Sequence, residues 1–269
     1  MFNSWNASKL SRRDFVTQTA AGLPGFMPAG LALAEQPSSQ PNSTGQLSVV
    51  CVGAHPDDPE SGCGGTLARY AAMGHRVSIL YLTRGEAGIS GKSHQEAAAI
   101  RTAESEAACK ILGAKPIFAG QIDGATVVNR DHAQSFAQLL AAQEPHVVFT
   151  HWPIDTHPDH QAASLLTIRA YLASGRRFPL YFFEVNSGCQ TLGFAPTVYV
   201  DITATRARKK EALLAHLSQN GEQIYRQHHE IMETFRGREP GVAAAEAFVR
   251  LARDHRGGSL PDFERSQRR

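Results

Sequence analysis

The residues most able to do chemistry are gathered in two short stretches. The first is Ala54-His55-Pro56-Asp57-Asp58-Pro59-Glu60, where an imidazole and two adjacent carboxylates follow an apolar run. Neighbouring residues in a turn cannot point the same way, so one Asp can join His55 on a metal ion while the other faces the space above it. Pro56 and Pro59 limit the loop's freedom and help hold such ligands in place. The second is His151-Trp152-Pro153-Ile154-Asp155-Thr156-His157-Pro158-Asp159-His160. Pro158 suits a first helical turn. His157 and His160 then face the same side of that turn, one able to bind metal and the other to reach over it. Two histidines and a carboxylate leave coordination positions open, as a catalytic zinc site requires, whereas a structural zinc site is closed by four ligands that usually include Cys.

Taken singly these residues mean less. A lone His-Pro-Asp is more often a capped turn, and Asp155 or Asp159 alone is more often a helix cap; the pairing of the two stretches is what argues for a site. Cys51, Cys63, Cys109 and Cys189 show no metal-ligand spacing and are read mostly as core thiols. Gly62-Cys63-Gly64-Gly65 lacks the G-x-G-x-x-G frame and is read as a tight start to a helix. His94, His132, His228 and His229 are read as surface or core histidines.

Positioning the two stretches requires a scaffold, and apolar patterning supplies one. Strands are expected at 47–53, 75–83, 116–119 and 146–150, with helices at 65–73, 93–112, 131–143 and 158–173. Further on, 180–185 and 197–202 read as strands, and 203–219 and 239–252 as helices. The alternation predicts an α/β fold, a mostly parallel, doubly wound sheet with helices on both faces. Ligands bind such sheets outside the carboxyl ends of the strands, which points to the loops after Gly53, Thr83 and Thr150. Two of those three loops are the stretches described above.

At 269 residues, 42% hydrophobic and 19% charged, the chain suits one sizeable globular domain, placed at 47–252. Ser11-Arg12-Arg13-Asp14-Phe15 precedes a weakly apolar run ending in Ala32-Leu33-Ala34, the pattern of a twin-arginine signal peptide over 1–34. Export through the twin-arginine machinery to the periplasm or another extracytoplasmic space is therefore expected, with no stable membrane span after cleavage. A polar linker at 35–46 and a polar, basic tail at 253–269 flank the domain. The formal charge of +2 is matched by the leader's Lys9, Arg12 and Arg13 against Asp14. A near-neutral domain gives no electrostatic case for nucleic acid.

With these residues in view, the chain resembles the PIG-L/LmbE-like N-acetylglucosamine deacetylase family. The resemblance rests on His55-Pro56-Asp57-Asp58 with Glu60 and Gly62-Cys63-Gly64-Gly65-Thr66, and on Thr83-Arg84-Gly85-Glu86. It also includes Arg101 with Glu104, Asp155 with His157-Pro158-Asp159-His160, and the segment from Lys210 to Gln219. Pro59 departs from the pattern, since many members have Glu directly after the Asp pair. The resemblance implies a Rossmann-like fold and a metal held by His55, Asp58 and His160, with Zn2+ expected and Fe2+ or another divalent ion as alternatives. It further implies Asp57 as general base, His157 as oxyanion stabiliser or acid in protonated form, Asp159 orienting or tuning His157, and Arg101 contacting an acetylated amino-sugar substrate.

Two rival readings use the same residues. Two His and a carboxylate also describe a non-haem Fe(II) oxygenase, but those enzymes are usually all-β. A non-catalytic glycan-binding protein on the same fold would not need Asp57 and His157.

Overall fold

The computed structural model describes residues 45–251; the signal peptide expected over 1–34, the expected linker up to residue 44 and the expected tail lie outside the described residues. Strand β1 (Ser48–Gly53) is buried along its whole length, and its alternating side chains feed two different cores. Val49 and Cys51 pack with Leu67 and Tyr70 of α1 (Asp58–Ala72) and Leu112 of α2 (His94–Leu112). Val50 and Val52 pack on the other face with Phe136 and Leu140 of α3 (Arg130–Ala141) and Leu166 of α4 (Pro158–Ala173). A strand that is apolar on both sides is thus explained by helices above and below it.

Six further strands complete the sheet: β2 (Arg76–Tyr81), β3 (Lys115–Phe118), β4 (Val147–His151), β5 (Leu180–Phe183), β6 (Val198–Asp201) and β7 (Ala245–Arg250), in the order β3-β2-β1-β4-β5-β7-β6. The first five are parallel, and β7 runs antiparallel between β5 and β6. This is the expected Rossmann-like, mostly parallel α/β sheet. The strand order reverses between β1 and β4, so the crevice at their carboxyl ends lies between Gly53 and His151, where both His/Asp stretches begin. No described helix is long and apolar enough to cross a membrane.

Three local expectations are corrected. The helix expected at 239–252 is instead β7, because pairing with β5 and β6 overrides the helix propensity of its alanines. The helix expected at 65–73 begins at Asp58, so the glycines lie inside it rather than at its start. They are there for close approach: a Cβ on Gly62 would stand 2.3 Å from the Phe183 ring, and one on Gly65 2.7 Å from Ile202. Gly65→Ala is therefore expected to cost about 1–3 kcal/mol by overpacking, read as a lower urea midpoint with an unchanged slope. The helix expected at 203–219 is broken: α5 (Arg206–Leu214) ends before His216, and α6 (Gly221–Ile224), a π-helical turn (Tyr225–His229) and α7 (Glu230–Gly237) follow.

The C-terminal elements are tied down by Lys209, which is buried in α5 with Nζ 3.0 Å from Glu233 and 2.7 Å from Glu246. Burial opposes its charge, but the two carboxylates outweigh that and raise its pKa. Glu246 also accepts the Gly65 and Thr66 N–H groups at 2.9 and 2.7 Å. Lys209→Ala would leave the buried Glu246 without its cation and Glu233 with Arg206 alone. A loss of about 3–5 kcal/mol is expected by urea unfolding; a loss below about 1 kcal/mol would show that the network does not hold α5, α7 and β7 together.

Candidate active site

Asp57 caps α1 with φ 105°, a backbone region that non-glycine residues rarely adopt and that costs about 1–3 kcal/mol. Buried groups hold it there. Its N–H donates to Glu60 Oε2 at 3.2 Å, and Arg101 Nη2 donates to the Pro56 carbonyl and to Asp57 Oδ2, the latter at 3.0 Å. Glu60 is itself fixed by the Tyr81 hydroxyl and by His216 Nε2 at 3.2 Å. The strained turn sends the two carboxylates apart, Asp57 towards Arg101 and Asp58 into a cluster of imidazoles.

In that cluster Asp58 Oδ2 accepts the His55 N–H at 2.8 Å and lies 3.2 Å from His55 Nδ1, while Oδ1 lies 3.3 Å from His160 Nε2. The structure thus brings together His55, Asp58 and His160 at the ends of β1 and β4. Ligand atoms of His55, His157 and His160 lie within 4.8 Å of one another, as do those of Asp58, His151 and His160. His160 Nδ1 lies 3.2 Å from Asp155 Oδ1. His55 Nε2 lies 3.1 Å from both Asp123 Oδ1 and Asp159 Oδ2. These outer carboxylates orient the rings from behind, as carboxylates behind metal-bound histidines do.

The charges say what the cluster attracts. Burial opposes ionisation of Asp58, yet His160 and His151 outweigh it and hold the carboxyl well below its usual range. Burial likewise opposes a charged His55, but Asp123, Asp159 and Asp58 push it well above its usual value; His160 is pushed up to about 9 by Asp58 and Asp155 against its burial. The carboxylates therefore draw positive charge into the cluster. Nitrogen and oxygen donors around such a charge, with no thiolate among them, fit a divalent ion such as Zn2+ or Fe2+.

Asp57 behaves differently from its neighbour. Burial raises its pKa and Arg101 only partly offsets this, so it is a stronger base than an exposed carboxylate. His157 caps α4, and its Nδ1 accepts the Asp159 N–H at 3.2 Å, so the ring proton sits on Nε2. Burial, then His55 and His160, lower its pKa. It is thus a neutral N–H donor at the cavity, not the protonated group expected from sequence. Asp159, expected to orient or tune His157, donates its N–H to the ring, and the charge of its carboxylate opposes the lowering of the ring's pKa. Its carboxylate faces His55 and is clamped by Gly124 N–H at 2.8 Å and the Thr126 hydroxyl at 2.6 Å.

Sequence reasoning passed over four participants. His151 is fully buried, stacks on His160 at 4.1 Å between centroids, and accepts the Ala54 N–H on Nε2 at 3.0 Å. Burial and then His160 lower its pKa to about 4, so it is a neutral support beneath the cluster. Asp123 comes from the loop after β3, whose one sequence signal is a strand end followed by Asp-Gly. His216 lies in the Lys210–Gln219 segment that carries part of the resemblance but has no role assigned from sequence, and His229 comes from a segment with no readable motif. Two motifs have supporting roles instead: Glu86 accepts the Asp123 N–H at 3.2 Å, and Glu104 accepts the Ser218 N–H and hydroxyl, both at 2.7 Å. Asp57, Arg101, His157 and the cluster open onto a cavity of about 550 Å³.

Diacetylchitobiose deacetylase of Thermococcus kodakarensis is 30% identical to this chain over 191 residues, covering 66% of this chain and 72% of the relative. The chain belongs to the PIG-L family. The PIG-L profile, described as GlcNAc-PI de-N-acetylase, matches residues 50–171, a span holding all seven of the residues proposed from sequence. A 1D-myo-inositol 2-acetamido-2-deoxy-alpha-D-glucopyranoside deacetylase of Rhodococcus jostii is 29% identical over 236 residues, covering 64% of this PIG-L chain and 81% of the relative. Among solved structures, N,N'-diacetylchitobiose deacetylase of Pyrococcus horikoshii, in complex with an inhibitor, superposes with a TM-score of 0.66 at 26% identity. It covers 76% of this chain and 83% of its own.

Proposed function

We propose that this protein is a metal-dependent N-deacetylase that hydrolyses the acetamide of an N-acetylglucosamine-type sugar or glycoconjugate, releasing acetate. The observation that carries the reading is the split pair at one strand end: Asp58 turned into the His55–His160 cluster, and Asp57 turned towards the cavity beside Arg101. The relatives' named activities support the same reaction class. A binder would have no use for a strained, half-buried carboxylate held beside Arg101 at the cavity.

His55, Asp58 and His160 would hold the ion, and Zn2+ or Fe2+ there would act as a Lewis acid, acidifying water and polarising the acetamide carbonyl. Asp57 takes the proton of the attacking water, a role its raised pKa favours. Arg101 keeps that carboxylate in place. His157 Nε2–H donates to the carbonyl oxygen as negative charge develops on it. When the C–N bond breaks, the proton held on Asp57 passes to the departing amine, so acetate and a free amino sugar leave. Asp159 fixes His157 by its N–H and His55 by its carboxylate.

The test is acetate release from N-acetylglucosamine and diacetylchitobiose by protein beginning at Glu35, with chelator and with added Zn2+ or Fe2+. Acetate that disappears on chelation and returns with metal is the expected result. Acetate production indifferent to exhaustive chelation would overturn metal dependence. The twin-arginine pattern at Ser11–Phe15 supports action outside the cytoplasm on an acetylated glycan there. Replacing both Arg12 and Arg13 with Lys is expected to leave the protein in the cytoplasm with its leader attached; unchanged export would contradict that location.

A further inference from the structure

The cavity has two sides of different origin. The reactive side comes from the segment matched by the family profile, 50–171. The opposite side comes from beyond it and includes His216, Gln219, Ile224, His228 and His229. Within it, the turn Tyr225–His229 is π-helical, closed by the Glu230 N–H donating to the Tyr225 carbonyl. Such turns are rare and often sit at functional sites. In an α-helix consecutive residues point about 100° apart; the widened turn lets both His228 and His229 face the cavity.

The turn is built to stay put. Tyr225 donates its hydroxyl to Glu233 Oε2 at 3.2 Å, and Arg206 Nε donates to the same oxygen at 3.0 Å. Lys209 pairs with the other oxygen of Glu233 from below. Burial, and then that lysine's charge, lower the pKa of His229 to about 3, so it meets a ligand as a neutral imidazole, able to donate and accept one hydrogen bond each. Neither His228 nor His229 has a side-chain hydrogen bond to another described residue. Among the described residues lining the cavity, Arg101 alone carries a permanent positive charge, and it is already bound to Asp57.

We infer that His228 and His229 are specificity residues that read the group attached to the acetamido sugar, and that this group is an uncharged, hydroxyl-bearing ring such as a second sugar. The inference rests on the deacetylase reading and extends it. The volume of about 550 Å³ lies well inside the ~300–1,000 Å³ range of sites that enclose a whole ligand, more than one amino-sugar ring requires. The neutral His229 imidazole on a rigid wall suits hydroxyls, and a wall without a lysine or arginine of its own offers a phosphate no permanent charge to pair with.

The experiment compares kcat/KM for acetate release from N-acetylglucosamine, diacetylchitobiose and N-acetylglucosamine 1-phosphate, using the metal-loaded protein and the variants His228→Ala, His229→Leu and His229→Gln. The intact protein is expected to favour the disaccharide at least tenfold over either single ring. His228→Ala and His229→Leu are expected to lose about tenfold on the disaccharide, mainly in KM, and less than twofold on the single ring. His229→Gln, which keeps a donor and an acceptor, is expected to recover most of the loss. His228 is partly exposed, so its variant reads the wall even if His229→Leu folds poorly. Equal losses on disaccharide and monosaccharide, or a preference for the phosphate, would overturn this inference and leave the deacetylase reading standing. Acetate from none of the three would remove both.

Discussion

Asp57→Asn is expected to lower kcat by about 10²–10⁴-fold, the usual contribution of a positioned general base, which is about 2.7–5.5 kcal/mol of barrier. Metal content is expected to stay at one ion per chain. The two outcomes separate because Asp57 and Asp58 face different ways: Asp58 stays on His55 and His160 when its neighbour changes. The amide oxygen of Asn can still accept from Arg101 and hold the strained turn, but the side chain cannot take a proton. Metal analysis beside steady-state kinetics checks this. Full turnover would require another base, and loss of metal together with turnover would mean that Asp57 is itself part of the metal site.

His160→Ala is expected to abolish metal retention and to lower activity by about three orders of magnitude or more, since a bound Lewis acid supplies several kcal/mol. Its second effect is electrostatic. His160 stands between Asp58 and Asp155, at 3.3 and 3.2 Å, and both carboxylates are buried. Removing the ring leaves them facing each other across a gap, so the variant should be less stable than metal-stripped intact protein. Thermal unfolding of the two metal-free forms, side by side, separates the lost ion from the lost imidazole. A variant that keeps metal through dialysis and turns over substrate would remove His160 from the ligand set.

The parts of the site legible in sequence are those where chemistry and chain geometry coincide locally. Pro158 and the spacing of His157 and His160 belong to one helical turn, so α4 was anticipated with its bounds, Pro158–Ala173. The strand–loop pattern around His55 was legible for the same reason. The strain at Asp57 was not, because Glu60, which accepts its N–H, is fixed by Tyr81 and His216, and these, like Arg101, come near only in the folded chain. That the Asp159 carboxylate also reaches the His55 ring was not legible, because sequence cannot say which of two nearby imidazoles a carboxylate meets. β7 was misread because Ala243-Ala244-Ala245-Glu246-Ala247 has local helix propensity, while its fate is set by the gap between β5 and β6 and by Lys209 waiting for Glu246.

The place of β7 governs the timing of synthesis. A ribosome releases β1 through β5 and both His/Asp stretches well before it releases residue 245, so the reactive cluster can assemble on a partial sheet. Until β7 arrives, the outer edge of β5 and the whole of β6 have exposed backbone, a template for association with other chains. The last of the described strands is thus inserted between two earlier ones. A nascent chain has its chemistry in place before the wall that reads the substrate is locked, and guarding that edge is the hazardous interval of its biogenesis.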